Sequence, residues 1–300
     1  MPAPLFEAVP NFSEGRDPAK ISHIVEPVRA VPGVRVLGLH SDPDHNRSVL
    51  TMAGEGGPLV EAAAALARSC AAEIDLSTQT GVHPRMGSLD VLPFVPLDGA
   101  TLEDAARLAR EAGERISSLG FTVYLYESAA GAPHRRNLAD VRRGGYRGLA
   151  ARIKNPDWKP DYGPKDLDPR FGAVAVGARP FLVAFNAYLD TGDVEAARTI
   201  AGRVRERDGG LPGLKALGLS VKGRAQVSMN LTDLEKTSLP VALEAVRTEA
   251  SKLGARVEYT ELVGLLPLDA LLQTARYYLS LPELGRERVL ETGLWDERRC

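Results

Sequence analysis

Three hundred residues, 44% hydrophobic and 25% charged, suffice for one large domain or two of ordinary size, and the composition excludes disordered, collagen-like and membrane classes. A net charge of −2 argues against a general nucleic-acid binder, which carries a basic excess. The start, "MPAPLFEAVPNFSEG", has no basic stretch followed by a long apolar core, and no window of about 18 residues is apolar enough to span a membrane. A cytoplasmic protein with no membrane partner is expected. Cys70, in an alanine-rich run, and Cys300, the last residue, have neither metal-ligand nor disulfide spacing and read as a buried thiol and a free tail.

In chain order, β-branched and apolar runs bounded by turn residues predict strands near 5–10, 33–39, 48–53, 88–94 and 121–126. The first helix starts at Asp17 and Pro18, an N-cap followed by proline at the first helical position, with Ile21, Ile24, Val25 and Val28 on one face; Pro32 and Gly33 stop it. Residues 59–73 form an alanine-rich second helix. Thr101 with Asp104 reads as a capping box opening a third, with Leu102, Ala105, Leu108, Ala109, Ala112 and Ile116 inward and Gly120 as its stop.

After a middle segment the pattern returns: a strand at 181–188, a helix from Asp193 with Val194, Ala197, Ile200, Ala201 and Val204 on one stripe, strands at 213–220 and 225–231, a helix from Pro240 and a strand at 256–262. The fold expected is therefore α/β (α+β), two ferredoxin-like βαββαβ halves with mixed sheets, divided as 1–175 and 176–300. "VLGLHSDPDHNRSVLTM" and "ALGLSVKGRAQVSMNL" fall on the same hairpin of the two halves, a faint echo of duplication. Between the halves, residues 154–172, "KNPDWKPDYGPKDLDPRFG", are too long for a plain connection and too aromatic for a disordered one, so an ordered, functional loop is expected.

Four polar clusters fall at predicted strand ends, where α/β sheets gather their sites: 9–17, 41–49, 80–90 and 226–233. Neither a dinucleotide fingerprint nor a phosphate-cradling Gly-Lys-Ser/Thr is present, so no nucleotide cofactor is indicated. His83 in "GVHPRMGSLD" reads as a general acid/base, or as a turn histidine bonded to a backbone carbonyl. Arg85 reads as a fork for a substrate carboxylate or as a tie to a neighbouring acidic side chain. Asp42, Asp44 and His45 suit a hairpin turn better than a metal. Asn46 and Arg47 are better donors to an anionic or amide-bearing ligand than turn formers. Asn11, Ser13 and Glu14 read as a helix-start cap or a site, His23 as a surface histidine, and His134, Arg135 and Arg136 as a solvated basic loop.

Several stretches resemble the glutamate formiminotransferases, found alone in bacteria and as one half of a bifunctional formiminotransferase-cyclodeaminase. They are "VPNFSEG" (9–15), "NRSV" (46–49), "HPRMGSLDVLPFVP" (83–96), "VYLY" (123–126), "PDYGP" (160–164), "GARPFLVAFN" (177–186), "QVSMNL" (226–231) and "ELVGLLPLDALL" (261–272), and they span nearly the whole chain in the family's order. The resemblance implies transfer of a formimino group from N-formimino-L-glutamate to the co-substrate tetrahydrofolate. It implies His83 as the catalytic residue, a folate-binding stretch from Gly163 to Gly172, a homodimer, and no counterpart of the cyclodeaminase half.

Attack of the pterin N5 on an amidine-like carbon, with departure of the glutamate nitrogen, needs one group that takes and then returns a proton. Both substrates carry carboxylates, for which Arg47, Arg85, Lys165 and Arg170 are the candidate partners. Asn11, Gln226 and Asn230 are candidates for amide and pterin edges, with Ser13, Asn46, Pro164, Phe171 and Gly172 completing the expected site in a cleft between the two subdomains. No metal is called for. Trp158, Tyr162 and Phe171 either stack on the pterin or pin the loop. His40 and Val82 stand where the family commonly has acidic residues; an acid there would raise the pKa of His83. Two rivals remain: a folate-dependent transferase with another donor, such as a formyl group, and a ferredoxin-like binding protein without chemistry.

Overall fold

The computed structural model describes residues 3–81 and 85–292; His83, with Val82 and Pro84, and Cys300 lie outside the described residues. The chain forms two compact units, Met1–Pro180 and Phe181–Cys300. In the first, the elements are β1 (Leu5–Ala8), β2 (Asn11–Phe12), α1 (Pro18–Arg29), β3 (Val34–Asp42), β4 (Arg47–Glu55), α2 (Gly56–Glu73), β5 (Leu89–Pro96), α3 (Leu102–Ser117), β6 (Thr122–Glu127), α4 (Leu138–Val141), α5 (Gly145–Arg152) and β7 (Ala173–Ala178).

The expected first strand is two pieces, because Pro10 has no N–H to give a ladder. Both β1 and β2 lie between β4 and β5, antiparallel to each. With β3 outside β4, the order β5-β1/β2-β4-β3 is that of a ferredoxin-like unit. Beyond β5 the sheet continues in parallel through β7 to β6, making it mixed. The sequence reading did not find β7, "AVAVGA". Alanine and glycine carry little strand signal, and a parallel strand buried on both faces shows no alternation. Because β7 spans position 175 and belongs to the first sheet, residues 154–172 are a connection inside the first unit and not a bridge between halves.

Helices α1, α2 and α3 cover one face of this sheet, over a core that includes Phe6, Phe12, Ile24, Leu50, Met52, Leu66, Phe94, Ile116 and Phe121. Asp17 caps α1 by accepting from Ala19 N and Lys20 N, and its four inward residues are those expected. The Thr101–Asp104 capping box on α3 is formed in both directions. Cys70 is buried in α2, and burial pushes its thiol pKa up. The other face carries a smaller cluster in which Met86, Val91, Tyr124 and Tyr126 meet Val141 of α4 and Leu149 of α5.

The second unit contains β8 (Val183–Leu189), α6 (Val194–Val204), β9 (Leu214–Val221), β10 (Arg224–Leu231), α7 (Leu239–Ser251), β11 (Val257–Val263) and α8 (Leu268–Leu279). Its order β11-β8-β10-β9 is antiparallel throughout, the ferredoxin-like arrangement, with α6 and α7 residues packed over Val227, Met229 and Leu231. The two stretches that echo one another are β3–β4 and β9–β10, the central hairpin of each unit. Among the described residues no helix is long and apolar enough to cross a membrane.

Candidate active site

The polar clusters of the first unit meet at one end of its sheet. Phe12 pairs with Ser48 and Leu89, and Ala173 with Thr122, so the end of β2 and the starts of β4, β5, β6 and β7 lie together. This is the amino end of the parallel strands, opposite to where a doubly wound sheet collects ligands, because here the hairpin and the loop before β5 carry the polar residues.

Asp90 is the pivot. Fully buried at the β2–β5 irregularity, its carboxylate accepts from Met86 N (2.7 Å), Arg142 Nη2 (2.6 Å) and Arg47 Nη1. Burial pushes the Asp90 pKa up, but Arg142 and Arg47 outweigh it and hold the carboxyl at about 2. Burial likewise lowers the Arg47 pKa, against the attraction of Asp90. Arg47 Nε also donates to Asn11 Oδ1 (3.1 Å), and Asn11 Nδ2 donates to Val9 O.

A second network joins the start of α1 to the loop before His83. The buried Glu14 carboxylate accepts from Gly15 N, Arg16 N and Asp17 N through Oε1, and from Gln79 Nε2 through Oε2. Asn46, held at φ 47°, accepts from Gly15 N (2.9 Å) and donates to Thr80 O (3.0 Å) and Gln79 Oε1. Gly15 admits no side chain, since a Cβ would lie 2.3 Å from Asp42 O. Ser13 Oγ donates to Gly87 O. Glu14, Arg16, Asp17, Asn46, Gln79 and Thr80 surround an open depression of about 490 Å³ that runs up to the residues before His83.

The chain just after His83 is tied to its neighbours. Arg85 O accepts from Tyr146 N (2.8 Å), and Arg85 Nη2 donates to His45 O (3.2 Å). Arg85 Nη1 is buried with no hydrogen-bond partner among the described residues, and burial lowers the guanidinium pKa. Arg85 is thus the expected ligand residue here with a donor in reserve. Asn11, Ser13, Asn46 and Arg47 are brought together as expected, yet their polar atoms hold the framework.

The stretch 163–172 crosses the same end of the sheet. Gly163 sits at φ 83° against Phe121 O, and Pro164 O accepts from Thr122 Oγ1 (3.0 Å). Lys165 and Arg170 are exposed. The Phe171 ring packs on Phe121 with centroids 4.7 Å apart, and Gly172, at φ 66°, bridges to Gly87. Leu76 N donates to Arg170 O, Ser88 N to Phe171 O and Ala173 N to Met86 O, which ties this stretch to both flanks of the His83 loop. The Arg152 guanidinium lies over the Trp158 ring (4.1 Å), His134 meets that ring in a T-shaped contact, and Tyr162 packs on the core, so these aromatic rings pin the loop.

Other expectations resolve as follows. Asp42 accepts from Asp44 N and His45 N, a turn role, and lies 3.3 Å from His45 Nδ1. Arg135 is not a solvated residue: it is buried and donates to Asp161 Oδ2, Asp157 O and Lys159 O. Gln226 and Asn230 lie in the second unit on one face of β10, Gln226 buried and Asn230 exposed. On that face Glu261 Oε2 accepts from Asn186 Nδ2 (3.0 Å) and Tyr188 OH (3.2 Å), and Tyr188 stacks on Tyr259. Burial, with Glu261 adding, pushes Tyr188 up to about 12. Thr80 and Asp90 bound one of the expected polar clusters but have no individual role in the sequence, and Gln79 and Arg142 stand out there in no way; for Asp90 the available signal is an acid in an otherwise apolar strand.

Residues 5–179 match the "Formiminotransferase domain, N-terminal subdomain" and residues 184–287 the "Formiminotransferase domain". The chain is 40% identical over 296 residues to a glutamate formimidoyltransferase of Streptococcus pyogenes serotype M1, covering 97% of this chain and 99% of that one. It is 42% identical over 292 residues to a glutamate formimidoyltransferase of Thermoplasma acidophilum, covering 96% of each. A formimidoyltransferase-cyclodeaminase of Mus musculus is 40% identical over 288 residues, and this chain spans about half of its length. The chain belongs to the formiminotransferase family.

Proposed function

We propose that this chain moves the formimino group of N-formimino-L-glutamate to N5 of tetrahydrofolate, releasing L-glutamate and 5-formiminotetrahydrofolate. The observation that carries the reading is end-to-end similarity, at 40–42% identity, to two enzymes named for glutamate formimidoyl transfer. Its place is the degradation of histidine and one-carbon folate metabolism, in the cytoplasm and as a homodimer.

His83 is the acid/base of the proposal. It takes the proton that N5 loses on attacking the formimino carbon and returns one to the glutamate nitrogen as the C–N bond breaks. What supports this is the bracing around it: Asp90 anchors Met86, Tyr146 anchors Arg85, and Asn46 anchors Thr80, so the residues on either side of the loop have little freedom. Preorganisation of this kind lowers the entropic part of a two-substrate barrier. Arg85, with its reserve donor, takes a substrate carboxylate. Lys165 and Arg170 meet the folate's anionic tail, and Gly163 to Gly172 form its track. Only protons and a one-carbon unit move.

The test is a steady-state assay with tetrahydrofolate and N-formimino-L-glutamate, run on wild type and His83→Ala. Turnover is expected in wild type, with a loss of about 10²–10⁴-fold in the variant. Turnover only with a formyl donor, or folate binding with no turnover, would replace this reading with one of its rivals.

A further inference from the structure

Glu7 has no part in the networks described so far. It lies on β1, opposite Ala53 of β4 and Val95 of β5. Opposed residues of antiparallel strands share a face, and side chains alternate along each strand, so Glu7 shares the face of Asn11 and Arg47, away from α1–α3. The residue is 6% exposed, and its Oε2 is buried with no hydrogen-bond partner among the described residues. The Arg179 cation acts on it, and also on the buried Tyr126 hydroxyl. The Tyr126 ring packs against Gly177, where a Cβ would lie 2.5 Å from it.

A buried carboxylate without partners is destabilising, by about 1–3 kcal/mol or more for a charged group. Burial raises the Glu7 pKa, which expresses the same penalty. Such a cost is expected where a ligand completes the site. A carboxylate has two parallel acceptors, which match a planar pair of N–H donors on one N–C–N unit. In the proposed reaction two groups present such a pair: the formimino amidinium, and the 2-amino and N3–H edge of the pteridine. The amidinium carbon must sit at the reacting centre. The pteridine edge points away from N5, and Glu7, on β1, lies on the same sheet face as Asn11 of β2, farther from the end where the polar clusters meet.

We infer that Glu7 is a specificity residue that binds the 2-amino-4-oxopyrimidine edge of the reduced folate. The inference rests on the proposed reaction for its ligand.

The experiment compares wild type and Glu7→Gln in three readouts: KM for tetrahydrofolate, KM for N-formimino-L-glutamate, and the melting temperature alone and with saturating tetrahydrofolate. For the variant, the expected result is a tetrahydrofolate KM raised at least about 10-fold, an unchanged KM for the donor, a higher melting temperature when unliganded, and a smaller gain on adding folate. The higher unliganded melting temperature separates lost binding from lost folding. An unchanged tetrahydrofolate KM and an equal folate-induced gain overturn the inference while wild-type turnover leaves the reaction standing. A rise confined to the donor's KM also overturns it, assigning Glu7 to the amidinium. If wild type neither turns over nor gains stability with tetrahydrofolate, both readings fall.

Discussion

Asp90 is a fully buried carboxylate between two guanidiniums. Its carboxyl is held at about 2, against an ordinary 3.8, by two guanidiniums that themselves have little access to water. A depressed carboxyl pKa contributes stability that is fully present above about pH 4 and is lost as pH falls through 2. Urea unfolding across pH 2–7 is therefore expected to show wild type weakening over that window, with Asp90→Asn much flatter there. At neutral pH the same variant should be less stable by about 3–5 kcal/mol, because the buried Arg47 guanidinium loses the carboxylate it pairs with. Equal slopes in the two proteins would mean that the carboxylate is not the group titrating. Glu7 shows the opposite sign: its raised pKa makes the folded chain favour the protonated form, so stability falls as pH rises from the ordinary carboxylate range toward the raised value.

Elements position these residues through their ends. Helix α1 starts where it does because Asp17 caps it and Glu14 collects the three N–H groups before it. Asp17→Ala should lower stability by about 0.5–2 kcal/mol, read from a denaturant melt. The 163–172 connection is held by backbone, and Gly163 is the tightest point: a Cβ there would lie 2.2 Å from Phe121 O at a positive φ. Gly163→Ala is therefore expected to cost at least about 1 kcal/mol and to raise the tetrahydrofolate KM with little change in the donor's KM. A variant of wild-type stability would show that the loop can shift without loss.

At the scale of the molecule, each unit has its own sheet and its own buried cluster, one around Phe6, Leu50 and Phe94 and one around Val183, Ala197 and Val227. Separate cores predict separate cooperativity. Residues 1–180 and 181–292, expressed apart, should each show a cooperative thermal transition, and the whole chain should give a calorimetric enthalpy larger than its van't Hoff enthalpy. A fragment that melts without a transition would show that its core depends on the rest of the chain.

Much of this architecture was readable beforehand, because it follows from local physics. The inward stripe of α1, the α3 capping box and the βαββαβ order of both units come from periodicity and caps, which act within a few residues. The grouping of Asn11, Ser13, Asn46 and Arg47 was readable as polar residues at strand ends. What was not readable depends on partners far along the chain. Strand β7 is a strand because β5 and β6 flank it, and its own residues are small and weakly disposed to any structure. Asp90 is an ordinary aspartate in sequence; only folding brings Arg47, 43 positions before it, and Arg142, 52 positions after it, to its carboxylate. Whether a polar atom holds the framework or is left for a ligand is decided by three-dimensional neighbours. That decision separates Asn46, fully engaged, from Arg85 and Glu7, each with a buried polar atom still unpaired among the described residues.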